Sequence, residues 1–117
     1  MNNDPKKDAV LEEIGEALNA YESNSVDLIN RAFQEGGPQA VKAVEAEYTA
    51  LQHAYYDLLN RQLVTNSATY PNLMDQTIDA TNQIKNSISG LEKVANVFKA
   101  MKQTVDLVGR VLVLFGV

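Results

Sequence analysis

The sequence predicts an all-α protein: a long helical hairpin or three-helix antiparallel bundle with an extended C-terminal helix, completed by self-association. Apolar residues recur at steps of three and four along three stretches, which is the period of an amphipathic helix. Only residues 34–38 and 65–71 are rich in turn-forming residues, and no stretch alternates as a strand does. With 117 residues, 45% of them hydrophobic, we expect one all-helical domain over 1–117, with helices at about 5–33, 38–64 and 72–115.

The first helix is expected to begin at Asp4-Pro5, because Asp caps free N–H groups and Pro is tolerated at the first helical position. Ser23-Asn24-Ser25 predicts a kink or a short break, because these side chains compete for backbone hydrogen bonds. Gly36-Gly37-Pro38 predicts the end of this helix and the start of the next. The apolar face of the first helix contains Leu11, Ile14, Leu18, Tyr21, Leu28 and Ala32.

The second helix is predicted over residues 38–64, followed by a loop rich in Ser, Thr and Asn. Tyr56 lies off the apolar seam of this helix, and Tyr70 lies in the loop. We therefore expect these two aromatic side chains to be the most free to contact a partner. The seam itself is formed by Val41, Val44, Tyr48, Leu51, Tyr55 and Leu58.

The third helix is the longest predicted element, and its apolar residues keep a heptad register suited to coiled-coil packing. Ser89-Gly90-Leu91-Glu92 resembles a capping box, so a break at Gly90 would give a four-helix bundle instead. Because the register passes through Gly90 without a skip, the sequence favours one continuous helix over 72–115. One row of the heptad is Ile84, Leu91, Phe98, Val105 and Leu112, and the other is Val94, Met101, Val108 and Phe115.

A continuous third helix would leave its far end uncovered. At 1.5 Å per residue it would be about 66 Å long, against roughly 40 Å for each of the first two helices. Large exposed apolar patches mark interaction surfaces, so we expect a homo-oligomer, with a homodimer as first choice, or another helical protein to cover this end. The predicted interface residues are Leu91, Val94, Phe98, Met101, Val105, Val108, Leu112 and Phe115.

The net charge of −5 is distributed unevenly along the chain. Residues 1–66 carry 5 basic and 11 acidic side chains, whereas residues 85–117 carry 5 basic and 2 acidic ones. This asymmetry predicts complementary faces, within one chain or between chains. A chain this acidic is a poor candidate for binding nucleic acid, which requires concentrated positive charge.

The sequence shows no recognisable catalytic or metal-binding pattern. His53 is the only histidine, and with Asp57 it lies opposite the seam, without a recognisable nucleophile. A di-metal bundle needs a Glu-x-x-His pair, but residue 50, three before His53, is Ala. Acidic residues near the start of the first helix are explained by the helix dipole, so we predict no enzyme, cofactor or metal site.

These observations predict a non-catalytic helical-bundle protein that acts by self-association and helix-mediated protein–protein interaction, as a scaffold, adaptor or regulator. The alternative is a membrane-associating or secreted helical protein whose basic, apolar C-terminal helix binds lipid. Residues 104–117 are too short to span a membrane, which requires about 20 apolar residues. The start of the chain shows no signal peptide, so a cytoplasmic location is expected, with leaderless secretion left open.

Overall fold

The computed structural model describes residues 4–61 and 68–114, which form four helices without a strand. They are α1 (Pro5–Ser23), α2 (Ser25–Leu59), α3 (Tyr70–Ser89) and α4 (Val94–Leu114). The bundle measures 47 × 24 × 21 Å along its principal axes. The predicted all-α bundle is therefore confirmed, whereas the number and length of its helices differ from the favoured prediction.

The N-terminus of α1 and its junction with α2 follow from local side-chain chemistry. The Asp4 carboxylate accepts the Lys7 backbone N–H at 3.1 Å, and Pro5 occupies the first turn. At the other end the Asn24 side-chain amide donates to the Ala20 carbonyl at 2.8 Å. This competition for a backbone carbonyl ends α1 at Ser23, and α2 begins at Ser25, which is the short break that the sequence predicts.

Helix α2 contains a sharp reversal at Gly37, whose backbone is non-helical with φ 73° and ψ −161°. Pro38 follows and restarts the helix with its fixed φ. Residues 25–36 and 38–59 lie side by side, since one cleft is lined by Ile29 from the first part and by Thr49 from the second. Residues 5–36 and 38–59 therefore form the antiparallel hairpin that the sequence predicts, although its second arm ends at Leu59 and not at 64.

The predicted continuous helix over 72–115 is wrong, and the four-helix alternative with a break at Gly90 is correct. Helix α3 ends in a Schellman motif: the Glu92 N–H donates to the Ser87 carbonyl at 3.0 Å, and the Leu91 N–H donates to the Ile88 carbonyl at 3.2 Å. Leu91 takes the left-handed conformation of this motif, with φ 54°. The chain then reverses and α4 packs back against α3.

The four helices enclose one core with α1 and α4 at opposite corners. Among the described residues, α1 packs on α2 and α3, α4 packs on the same two helices, and α1 does not contact α4. Helices α1 and α3 run parallel, since Lys6 near the start of α1 pairs with Asp75 at 2.8 Å while Lys85 near the end of α3 pairs with Glu16 further along α1. The largest fully buried side chains include Ile14, Leu28, Leu51, Leu58, Met74, Ile84 and Met101.

Candidate functional site

The apolar seam of α4 faces the interior of its own chain. Val94, Met101 and Val108 are at most 3% exposed, and they belong to the core cluster. Leu91 is 73% exposed, because it lies in the turn between α3 and α4 and not on a helix. Phe98, Val105 and Leu112 are half-buried and pack against the core, and the remaining predicted interface residue, Phe115, lies outside the described residues.

This packing removes the premise of the predicted interface between C-terminal helices. The reversal at residues 90–93 folds α4 onto α2 and α3, so the chain covers its own apolar end. An interface through Val94, Met101 and Val108 would require the bundle to open. Self-association itself stays a prediction, and any surface for it must be found on the outside of the bundle.

The outside of α2 carries the candidate catalytic pair. His53 and Asp57 are both exposed, and no hydrogen bond or ion pair joins them in residues 4–61 and 68–114. The same ranges hold no group of three or more His, Asp or Glu side chains arranged to bind a metal ion. Near the start of α1, Glu13 and Glu16 pair with Lys85 of α3, and Glu12 points to solvent. Glu13 and Glu16 therefore form salt bridges, and Glu12 lies on the surface.

The N-terminus of α4 is capped by a side chain from α2. The Glu35 carboxylate accepts the Val94 N–H at 2.9 and 3.1 Å through its two oxygens, and the Ala95 N–H lies 3.4 Å from one of them. It satisfies free N–H groups and places negative charge at the positive end of the helix dipole. Beside it, an apolar cleft of about 220 Å³ is lined largely by small side chains such as Ala40 and Ala43. The Glu35 carboxylate is already engaged in capping, so the cleft offers only space for packing.

Removing the Glu35 cap should destabilise the bundle. We expect Glu35→Ala to lower the free energy of unfolding by about 0.5–2 kcal/mol, which is the usual cost of losing a helix cap. Urea unfolding followed by circular dichroism measures this change. The control is Gln34→Ala, an exposed neighbour that should change stability by less than about 0.5 kcal/mol. Equal effects of the two substitutions would show that the cap contributes nothing.

A second cleft lies in the α1–α2 hairpin, and we call it the tyrosine cleft. It has a volume of about 430 Å³, and its lining includes Tyr21, Tyr48, Glu45, Val26 and Ile29. The two tyrosine rings stack with centroids 4.2 Å apart and planes 13° from parallel. The Tyr48 hydroxyl donates to Glu22, whereas the buried Tyr21 hydroxyl has no hydrogen-bond partner within the described part of the chain.

Tyr70 also lies in the interior, which contradicts the expectation that it is free to contact a partner. It is 6% exposed, and its hydroxyl donates to the Asp4 carboxylate at 2.6 Å. The other aromatic residue expected to be free, Tyr56, is 57% exposed and packs edge-on against Tyr55. Burial is the main cause of raised pKa values for Tyr21, Tyr48 and Tyr70, and the negative charges of Glu45, Glu22 and Asp4 respectively add to it.

These raised pKa values predict that the protein loses stability at alkaline pH. A phenol with a raised pKa in the folded state contributes stability that is complete below its ordinary pKa of 10.0 and is lost as pH rises through the folded value. Lys85 acts in the same direction: burial lowers its pKa, but hydrogen bonds from Lys85 to Glu13 and Glu16 outweigh this and raise it. We expect the free energy of unfolding to fall above about pH 10 by up to about 1.4 kcal/mol per pH unit for each group, and the melting temperature to fall with it.

Absorbance at the tyrosinate band measures the same transition directly. The Tyr21, Tyr48 and Tyr70 phenols should ionise at higher pH than tyrosine in the unfolded chain, together with unfolding. If all phenols ionised in one step at the ordinary tyrosine value while the helices stayed intact, the burial of Tyr21 and Tyr70 and the hydrogen bonds of Tyr48 and Tyr70 would be contradicted.

The outer faces of α1 and α4 carry opposite charge. Asp8, Glu12 and Glu16 are exposed at successive turns of α1 and form what we call the acidic row. Lys99, Lys102 and Arg110 are exposed on α4 and form the basic row, and Asp106 is the one acid between residues 94 and 114. No basic-row residue has an ion-pair partner among residues 4–61 and 68–114.

Comparison with known proteins identifies no relative of this chain. The chain matches no known protein family, no curated protein and no solved structure. None of the helices within residues 4–61 and 68–114 has the length and apolar character needed to cross a membrane.

Proposed function

We propose that this protein is a non-catalytic helical bundle that acts by self-association and helix-mediated protein–protein interaction, as a scaffold or adaptor. The observation that carries the proposal is the placement of the acidic row and the basic row on opposite corners of one bundle. Lys85 pairs with Glu16 at one end of the acidic row, and Asp106 interrupts the basic row, but each row keeps an excess of one charge. Each row is therefore the complement of the other. A second copy of this chain supplies both.

The acidic row is more than a helix-start preference. The dipole of α1 favours Asp8 in the first turn, but its effect fades beyond that turn, where Glu12 and Glu16 lie. Like charges four residues apart destabilise a helix by a few tenths of a kcal/mol, and within the chain the salt bridge from Lys85 offsets this only at Glu16. A cationic partner surface would turn that repulsion into attraction.

The geometry favours a head-to-tail arrangement. Because α1 and α4 occupy opposite corners, the acidic row of one copy can meet the basic row of the next while its own basic row stays free. Such a heterologous contact builds a ring if its rotation closes and an open filament if it does not. Exposed Val113, on the same outer face of α4 as the basic row, adds apolar area to the contact.

Light scattering at two protein concentrations and two salt concentrations tests the proposal. We expect the native mass to exceed 12.9 kDa at high protein concentration and low salt, and to fall as salt screens the rows. Glu12→Lys should reduce the mass, as should Lys102→Glu, and the double variant should recover it by restoring complementarity. Lys42→Glu, at an exposed position on α2, is the control and should leave the mass unchanged. A wild-type mass of 12.9 kDa under every condition would overturn self-association.

Membrane association is the second candidate, favoured by the same unpaired basic row beside exposed Val113. Lysine and arginine near a surface contribute attraction to anionic lipid that salt weakens. Co-sedimentation with anionic liposomes, abolished by Lys102→Glu and unaffected by Glu12→Lys, would support this function. Self-association instead predicts that Glu12→Lys and Lys102→Glu both lower the native mass. The pair of variants therefore separates the two candidates.

A further inference from the structure

The reversal between α3 and α4 is strained at one residue. Among the described residues, Leu91 is the one residue other than Gly with a positive φ, which is 54°. A residue with a Cβ is disfavoured in this left-handed region by roughly five- to thirtyfold relative to the right-handed helix. Gly usually takes this position at the end of a helix, but here Gly90 precedes it with an ordinary φ of −81°. The closed turn therefore carries a cost that a straight helix would not.

The Leu91 side chain gains no burial from the turn, since it is 73% exposed. In sequence it lies seven residues after Ile84 and seven residues before Phe98, which is about two helical turns in each direction. Ile84 is fully buried, and Phe98 packs against the core. If residues 90–93 were helical, Leu91 would join the apolar row that these two side chains form.

The hydrogen bonds that hold the turn closed can be replaced by helical ones. Arg31 donates to the Glu92 carbonyl at 2.8 Å, and the Glu35 carboxylate accepts the Val94 N–H at 2.9 Å. In a helix the Val94 N–H would donate to the Gly90 carbonyl, and the Glu92 carbonyl would accept the N–H four residues later. Straightening residues 90–93 would therefore leave these two backbone groups paired.

The inner face of α4 prevents a single chain from opening on its own. Met101 and Val108 have no exposed surface, and α4 packs on α2 and α3 among the described residues. An opened chain would expose this apolar face to water. A second chain opened in the same way offers an identical surface on its own α2 and α3, so the exchange of α4 restores the lost contacts.

We propose that residues 90–93 are a hinge through which two copies of this chain exchange α4, each α4 packing on α2 and α3 of the other copy. The closed chain is the stable form at low concentration, because association costs the separate molecules their freedom of motion. In the exchanged dimer the hinge is helical, which removes the strain at Leu91 and places its side chain between Ile84 and Phe98.

The exchange does not depend on the acidic row and the basic row. These rows join closed copies, and salt weakens their attraction. Exchange instead buries the apolar inner face of α4, so the exchanged dimer should persist in high salt. Failure of one mode of association therefore leaves the other standing.

Light scattering in about 1 M salt, which screens charges over about 3 Å, tests the exchange. Concentrated protein is warmed close to its melting temperature, cooled, and separated by gel filtration. We expect a fraction with twice the mass of 12.9 kDa besides the monomer. Absence of this dimer from the wild-type protein would overturn the proposal.

Spin labels on Gln83→Cys and Gln103→Cys show whether the dimer is exchanged. When labelled protein is mixed with an excess of unlabelled protein before warming, the distance within a labelled chain should be about 30 Å in the dimer and much shorter in the monomer. A dimer in which this distance stays short would consist of closed copies and would contradict the hinge.

Two substitutions in the hinge should act in opposite directions. Gly90→Ala should lower the dissociation constant of the dimer roughly thirtyfold, because Ala is favoured over Gly in the helix of both copies. In the closed turn the added Cβ would also lie 3.0 Å from the Asn86 carbonyl oxygen. Leu91→Gly should raise the constant at least about a hundredfold, because Gly relieves the strain of the closed turn and disfavours the straight hinge. Equal constants for the two variants would overturn the proposal.

Glu35→Ala and Gly37→Ala separate the hinge from general instability. Glu35 caps α4 only in the closed turn, so Glu35→Ala should lower the dissociation constant at least about fivefold. Gly37 belongs to the α1–α2 hairpin, which both forms contain, so Gly37→Ala should destabilise both forms and leave the constant unchanged. If Gly37→Ala promoted the dimer as strongly as Glu35→Ala, general destabilisation would explain dimer formation and the hinge would be rejected.

Discussion

Val108→Asp is expected to remove a large fraction of the protein's stability. Val108 has no exposed surface and lies in the core beside α2 and α3. A carboxylate at this position would lose its hydration without gaining a partner, at a cost of more than about 4 kcal/mol. Since domains of this size are stable by roughly 5–15 kcal/mol, the loss is a large fraction of the total. Circular dichroism and urea unfolding measure it.

The matched control for Val108→Asp is Val113→Asp on the same helix. Val113 is 79% exposed, so this substitution should change stability by less than about 0.5 kcal/mol. If Val108→Asp instead remained fully helical, with an unchanged melting temperature and a lower native mass, Val108 would lie in an interface between copies. That outcome would restore the interface of paired C-terminal helices and contradict the packing of α4 within its own chain.

Gly37→Ala should destabilise the α1–α2 hairpin by about 1–3 kcal/mol. With φ 73° and ψ −161°, Gly37 occupies a backbone region that residues with a Cβ rarely adopt. An added Cβ would meet nothing within 4 Å, so the cost comes from the backbone and not from a clash. Urea unfolding monitored by circular dichroism gives the change in free energy.

Gly109→Ala provides a control of opposite sign. Gly109 lies inside α4, and an added Cβ there also meets nothing within 4 Å. Since Ala is favoured over Gly by about 1 kcal/mol in a helix interior, this variant should be more stable than the wild type. If Gly37→Ala were stabilising to the same degree, the reversal at Gly37 would be contradicted.

The fold class and the first hairpin were predictable because their determinants are local. Helical periodicity, the Asp4 cap and the Gly36-Gly37-Pro38 turn each act over a few residues, and the structure forms each as predicted. The reversal after α3 was predicted only as the alternative, because the heptad register of Ile84, Leu91 and Phe98 continues across it. A register constrains which side chains face inward, and it does not by itself require the backbone to remain helical.

Two features of the reversal leave no local sign in the sequence. Leu91 occupies a left-handed position usually taken by Gly, so its identity gives no sign of the turn. The cap of α4 comes from Glu35, which is 59 residues away from Val94. The capping-box pattern from Ser89 to Glu92 correctly marked the position of a break, but the helix it was expected to start begins at Val94 instead.

The core also contains polar residues that an apolar pattern cannot predict. Thr77, Thr81 and Thr104 are fully buried, and each hydroxyl donates to the carbonyl four residues earlier in its own helix. The tyrosine cleft was missed for a related reason: Tyr21 and Tyr48 fit the apolar seams, and their stacking depends on the hairpin register. Charge asymmetry along the chain was visible in the sequence, but the opposite placement of α1 and α4 required the three-dimensional arrangement.

The distance between spin labels at residues 83 and 103 tests most directly whether α4 folds back within one chain. The chain has no cysteine, so Gln83→Cys and Gln103→Cys can be labelled selectively, and both positions line one exposed cleft between α3 and α4. The hairpin predicts a separation below about 20 Å that persists when labelled protein is diluted with unlabelled protein. A continuous helix over 20 residues predicts about 30 Å. That longer distance, or a short distance that disappears on dilution, would contradict the packing of α4 against its own chain.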